Sequence, residues 1–228
     1  MVEWERTCAL LCRWLPPAPA RVLDVGGASG RYASWLRGRG HRATLIDPVP
    51  RHVELARARG VDAAIGDARR LPLRDAAVDV VLLMGPLYHL PLGPDRAGAL
   101  GEAVRVCAPG GVVVAAGISR WSRPAALAAH GRLGDREAQR HLIQVLTCGH
   151  DAQGDAFERV CYRHDPAELR GELSAAGLRD VRVVGVEGPL GAFAREDLGM
   201  YPAAMAAAAI AEASAPHLSL HLLAYGSR

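Results

Sequence analysis

The amino-acid sequence predicts an α/β fold, a doubly wound parallel sheet with helices on both faces. Three observations carry this expectation. Short apolar runs alternate with helical patterns from residue 21 onward, a glycine-rich turn closes the first of those runs, and 228 residues are enough for one well-buried α/β domain with extra elements.

Val2, Trp4, Cys8, Leu11 and Leu15 fall near helical spacing, so an amphipathic helix is expected over residues 3–15, stopped by Pro16-Pro17. The alternation then runs as strand 21–25, helix 30–37, strand 43–46, helix 51–59, strand 63–65, strand 78–84, helix 96–107 and strand 112–116. From Ser119 to Asp165 the pattern breaks, with frequent Trp, Arg, His and Gly, and an insertion is expected there. A helix over 166–176 ended by Gly177, a strand at 181–186, a helix near 195–214 and a closing strand at 221–225 complete the chain. The organisation is one domain: an N-terminal helix and linker (1–18), a core (20–118), the insertion as a substrate lid (119–165) and a C-terminal part (166–228).

Composition excludes several classes. Half of the residues are apolar and 22% are charged, as in globular proteins, and a formal net charge of +3 gives little reason to expect nucleic acid as a partner. All 27 basic residues are arginine. Pyridoxal-phosphate enzymes and Walker-type ATPases, which need a lysine, are therefore set aside. Five cysteines with no C-x-x-C pair point to reduced thiols, and neither the charged start nor the alanine run at 203–213 suits a signal peptide or a membrane span. A soluble, cytoplasmic protein is expected.

The candidate site begins where the first strand ends. In Asp24-Val25-Gly26-Gly27-Ala28-Ser29-Gly30 the glycines Gly26, Gly27 and Gly30 let backbone approach a ligand, and the following helix start offers N–H groups to an anion. A dinucleotide fingerprint in this register needs glycines at 28 and 31, where the chain has Ala28 and Arg31. Asp47 ends the second strand, where a carboxylate accepts the two hydroxyls of a ribose. Asp67 follows the third, where it can accept from an adenine amino group. Each has a plainer role as well, Asp47 opening a turn before Pro48 and Asp67 capping a short helix.

Taken in order, these residues resemble the core of the class I S-adenosylmethionine-dependent methyltransferases, close to the small-molecule "methyltransferase type 11" group. The resemblance covers residues 20–117. It rests on Val22 to Gly30, Leu45-Ile46-Asp47-Pro48, Gly66-Asp67-Ala68, Gly85 to Leu90, and Glu102 to Gly111 with its Pro109-Gly110-Gly111 turn. It implies a Rossmann-like, seven-stranded sheet whose last strand is antiparallel. It implies S-adenosylmethionine as cofactor and S-adenosylhomocysteine as product. Asp24 would orient the first loop or meet the cofactor's amino group, Asp47 with Pro48 would hold the ribose, Asp67 with Ala68 the adenine, and Met84-Gly85 would border the methyl group. Ala28 stands where the family's pattern has its middle glycine.

Methyl transfer from a sulfonium is an in-line displacement, so positioning and exclusion of water supply much of the rate. Tyr88 and His89, at the exit of the fourth strand, are the expected catalytic pair: Tyr88 through its ring or hydroxyl, His89 as base or acceptor ligand. The plainer reading has Tyr88 packed and His89 a loop residue. Trp121, His164 and Glu187 are candidate acceptor contacts. His130, His141 and His150 share the insertion, where the ordinary role of any one histidine is a solvated surface position. Their spacing fits no zinc pattern, and no metal site is expected.

Gly85-Pro86-Leu87-Tyr88 departs from the Asn/Asp-Pro-Pro-aromatic quartet of nucleic-acid amino methyltransferases, so a small-molecule acceptor methylated on O or N is favoured. Two alternatives stand beside it: a protein of the same fold that binds the cofactor without methyl transfer, and an NAD(P) oxidoreductase. Monomer and homodimer both remain open.

Overall fold

The computed structural model describes residues 2–151, 161–191 and 198–228. Helix α1 (Val2–Trp14) is followed by β1 (Arg21–Val25), α2 (Arg31–Arg37), β2 (Arg42–Asp47), α3 (Pro50–Ala58), β3 (Asp62–Ile65), β4 (Val78–Leu83), α4 (Pro86–His89), α5 (Gly93–Val106) and β5 (Cys107–Ser119). Then come α6 (Ser122–Ala129), α7 (Arg136–Cys148), β6 (His150–Asp151), β7 (Cys161–His164), α8 (Pro166–Ala175), β8 (Arg179–Gly185), α9 (Tyr201–Ala211) and β9 (His221–Ser227).

The strand order β3-β2-β1-β4-β5 runs parallel throughout. Strand β9 pairs with β5 and β8, and the sheet ends antiparallel, so the doubly wound α/β expectation holds. Val80 to Leu83 of β4 and Val113 to Ala115 of β5 have no exposed surface, the mark of central parallel strands covered on both faces. Each helix turns a short apolar stripe inward: Val53 and Ala56 in α3, and Ala99, Leu100, Ala103 and Val106 in α5. Proline in the first turn opens α3, α4 and α5, a position where its missing N–H costs nothing.

The chain forms two compact units. One comprises Leu15–Ala116, Gly171–Arg182 and Tyr225–Arg228; the other comprises Met1–Trp14, Gly117–Arg170 and Val183–Ala224. In the first, buried Arg96 donates from Nη1 to the carbonyls of Leu90 and Pro91 and from Nε to Glu172 at 2.8 Å. That guanidinium ties the segment after α4 to α8. In the second unit, Val2 packs on Ala204 of α9, and Arg6 of α1 pairs with Glu212 at 2.6 Å.

Several sequence expectations are corrected. The insertion carries regular elements: α7 is capped by the Asp135 carboxylate, which accepts the amides of Glu137 and Ala138, and is closed by left-handed Gly149. Its strands β6 and β7 raise the count to nine among the described residues, β7 joining β5 in parallel at Ile118 and Ser119. Strands of two and four residues are too short to show a period. Pro109-Gly110-Gly111 lies inside β5 instead of preceding it, as a bulge where the pairing jumps from Val78–Cys107 to Val80–Val112. Helix α5 begins at Gly93, ahead of the expected residue 96, because Pro94 fits its first turn. The last helix starts at Tyr201, after a 3-10 turn at Leu198–Met200, and the expected start at Arg195 lies outside the described residues. No described helix is long and apolar enough to cross a membrane.

Candidate active site

The site is assembled at the carboxyl ends of β1, β2, β3 and β4. Gly26 follows β1 with φ +66°, and its amide donates to the Ile46 carbonyl at 2.7 Å. A side chain there would stand 2.8 Å from the Pro86 ring, so the loop and α4 approach closely only with glycine. Gly27 is needed for a different reason: the space its Cβ would occupy, 2.4 Å from Oδ2, is filled by the Asp24 carboxylate. Gly30, at φ +73°, caps α2.

Asp24 is completely buried, and neither of its oxygens makes a well-formed hydrogen bond among the described residues, the Ala33 amide being the donor that bears on it. Burial lifts its pKa to about 7, against a smaller downward pull from the Ala33 amide and with a further push from the charge of Asp47. A buried acid beneath a glycine cradle fits a ligand that brings a cationic group to this loop.

Asp47 is 3% exposed and organises the neighbouring turn. Its Oδ2 accepts the Ala28 amide at 2.9 Å, and its Oδ1 accepts the Val49 amide at 2.9 Å and lies 3.0 Å from His52 Nδ1. Asp67 is gripped by Arg69, whose Nη2 donates at 2.6 Å while Nη1 reaches Asp95 at 3.1 Å. Those hydrogen bonds hold the Asp67 carboxyl below its ordinary range.

A cavity of about 490 Å³ opens among these segments. Gly26, Ala28, Asp47 and Pro48 line one part of it, Asp67 and Ala68 another, and Gly85, Tyr88 and His89 a third. Sequence reasoning had pointed to all nine. Asp24, Gly27, Gly30 and Met84 stand behind this lining: the first three shape the loop, and the Met84 carbonyl accepts the Tyr88 hydroxyl at 3.1 Å. The Tyr88 and His89 rings lie 4.6 Å apart, His89 exposed. Two polar lining residues were missed, His52 and Arg69. The signal for each was local, a histidine in the first turn of α3 and an arginine two residues after an aspartate.

The remaining candidates belong to the other unit and do not line this cavity. Trp121 is 49% exposed, its ring 6.4 Å from that of His217. His164 is fully buried, edge-on to Tyr162. Glu187 is buried against His221, accepting its backbone amide at 3.0 Å and facing its Nδ1. His141, for which a surface position was the ordinary expectation, is buried as well. Asp151 accounts for that, lying 2.7 Å from His141 Nε2 and accepting from Arg163.

Ala28 carries a cost of its own, because φ +48° places an alanine in the left-handed region. Ala28→Gly removes that strain but loosens the unfolded chain, and the two effects leave a net stabilisation of about 0.5–1 kcal/mol. Urea unfolding measures it; a destabilised variant would mean that the methyl group packs usefully.

Comparison with known proteins agrees with this geometry. A family model described as a methyltransferase domain matches residues 23–115. The chain is 30% identical over 191 residues to the ubiquinone/menaquinone biosynthesis C-methyltransferase UbiE of Acidiphilium cryptum, covering 71% of this chain and 74% of that protein. The chain belongs to the class I S-adenosylmethionine-dependent methyltransferases. It is also 38% identical over 101 residues to an uncharacterized methyltransferase of Mycobacterium tuberculosis, covering 43% of this chain and 40% of that one. The matched stretch is thus less than half of that relative's length. The fold is shared with an S-adenosylmethionine-dependent methyltransferase from Mesorhizobium loti, at a TM-score of 0.67 and 18% identity over 100% of this chain and 98% of that chain.

Proposed function

We propose that this methyltransferase moves a methyl group from S-adenosylmethionine to an oxygen or nitrogen of a small-molecule acceptor. The observation that carries the reading is the convergence of the Gly26 loop, Asp47 and Asp67 on one cavity of about 490 Å³ that Tyr88 and His89 also border. A cavity of that size suits a nucleoside-sized ligand with its reacting end at one side.

The cofactor, when bound, supplies an already activated methyl group. The protein's share is placement. Asp47 takes the ribose hydroxyls while keeping the Ala28 and Val49 amides in register, Asp67 and Ala68 take the adenine edge, and the Asp24 loop receives the methionine end. Tyr88 lends its ring to the sulfonium side, and exposed His89 accepts the proton of a hydroxyl acceptor. His164 and Glu187 are closed off in the form described. The five free cysteines fit a reducing, cytoplasmic setting.

Calorimetry against S-adenosylmethionine and NAD(P), followed by turnover to S-adenosylhomocysteine with a panel of hydroxyl and amine acceptors, tests the reading. Binding of the sulfonium with turnover supports it. Binding without turnover on any acceptor favours a cofactor-binding protein of the same fold, and tight NAD(P) binding alone sinks it. His89→Ala is expected to lower kcat on a hydroxyl acceptor and leave cofactor affinity unchanged; an unaltered kcat removes His89 from the chemistry.

A further inference from the structure

Outside the cavity, the fold gathers three ligating side chains from opposite ends of the chain. Glu3 lies in the first turn of α1, Glu187 lies two residues past β8, and His221 opens β9. One ligand atom from each, two carboxylate oxygens and an imidazole nitrogen, lies within 4.8 Å of the other two. We propose that these residues bind one divalent transition-metal ion.

Glu187 already accepts the His221 amide at 3.0 Å and faces its Nδ1, and further contacts that do not use the ligand atoms hold the three elements together. Val186, next to Glu187, donates its amide to the His221 carbonyl at 3.0 Å, which sets β8 and β9 in register here. Arg6, one helical turn beyond Glu3, donates from Nε to the Val186 carbonyl at 3.3 Å and pairs with Glu212 at 2.6 Å. The first turn of α1 is thereby pinned beside Glu187. Residue 187 is itself 1% exposed, so its carboxylate is committed to whatever the interior offers.

Electrostatics favours a cation. Two carboxylate oxygens and an imidazole nitrogen within 4.8 Å of one another form a mixed, anionic donor set that complements a divalent cation. The guanidinium of Arg6 on the same helix face is already matched by Glu212. A divalent ion at this point would be shared by both carboxylates and the imidazole. Ligands bonded to such an ion at about 2.0–2.2 Å stand about 3–3.5 Å apart, so side-chain rotations close the set without moving backbone. One imidazole nitrogen with two carboxylate oxygens suits manganese, iron(II) or zinc better than magnesium or calcium, which favour all-oxygen shells. Three protein ligands also leave coordination positions open to a small anionic or hydroxylated molecule.

The test is direct binding, read without any methyl transfer. Manganese(II) chloride is titrated into the whole protein while the electron paramagnetic resonance of free Mn2+ is followed. One ion per chain is expected, displaced by zinc and poorly by magnesium. Glu3→Gln, a half-buried position at a helix start, should weaken binding at least about tenfold while leaving the metal-free melting temperature within about 2 °C of the parent. His221→Ala should abolish binding, with circular dichroism reporting whether Glu187 tolerates the loss of its partner. Unchanged free Mn2+ together with no zinc bound, or equal affinity in the parent and Glu3→Gln, overturns the proposal.

Discussion

Asp24→Asn should make the ligand-free protein more stable at pH 8 and remove most of the pH dependence of its stability near neutrality. The wild-type carboxyl is lifted from 3.8 to about 7 because burial outweighs the pull of the Ala33 amide. A folded-state pKa above the unfolded one means that the folded protein holds a proton the unfolded chain has already lost. Stability therefore falls as pH rises from about 4 to about 7 and levels off above that, a loss of roughly 4 kcal/mol over the window. Asn carries no charge to bury, and on the order of 3 kcal/mol should return at pH 8, less what its unsatisfied amide costs. Urea unfolding from pH 4 to 8 measures both curves. Parallel curves for the two proteins would show that Asp24 is not the titrating group. The same titration makes a prediction for binding: a cationic group arriving at this loop ionises Asp24, so cofactor affinity rises with pH up to about 7, and calorimetry in two buffers detects the released proton.

Asp47→Ala should injure both the fold of the loop and its affinity for the cofactor. The carboxylate accepts the Ala28 and Val49 amides and contacts His52, so its removal leaves two amide donors to find water. Hydrogen bonds to a charged acceptor contribute more than neutral ones, and about 2–4 kcal/mol of stability should be lost. Losing the ribose contact should further weaken S-adenosylmethionine binding by about 1–3 kcal/mol, up to roughly a hundredfold in Kd. The two effects separate experimentally, the first by thermal unfolding without ligand and the second by calorimetry well below the melting point. Intact affinity in a destabilised variant would keep Asp47 as a turn residue and move the ribose elsewhere.

The cofactor side of the molecule was legible because its signals are local. Gly26, Gly27 and Gly30 are required by positive φ or by close approach, and both properties belong to a few neighbouring residues. Asp47 and Asp67 could be placed because a strand that reads as an apolar run also announces where it ends. Helix starts were less legible. Proline in a first turn extends α5 back to Gly93, ahead of its apolar stripe. The insertion was harder still. Strands β6 and β7 have too few residues for a period, and they exist as strands because neighbours supply hydrogen bonds.

By itself, then, the sequence determined the doubly wound sheet, the order of its glycine-rich and acidic turns and nine of the residues that border the cavity, since each follows from spacing within one strand-turn-helix unit. Only the tertiary structure decided the rest. That Asp24 is left without a well-formed hydrogen bond, that His141, Asp151 and Arg163 form a buried charged cluster, and that Glu3, Glu187 and His221 meet are results of packing. The physical reason is common to all three. A charge's environment is set by what the fold brings against it from elsewhere in the chain, and no local pattern records residues 3, 187 and 221 as neighbours.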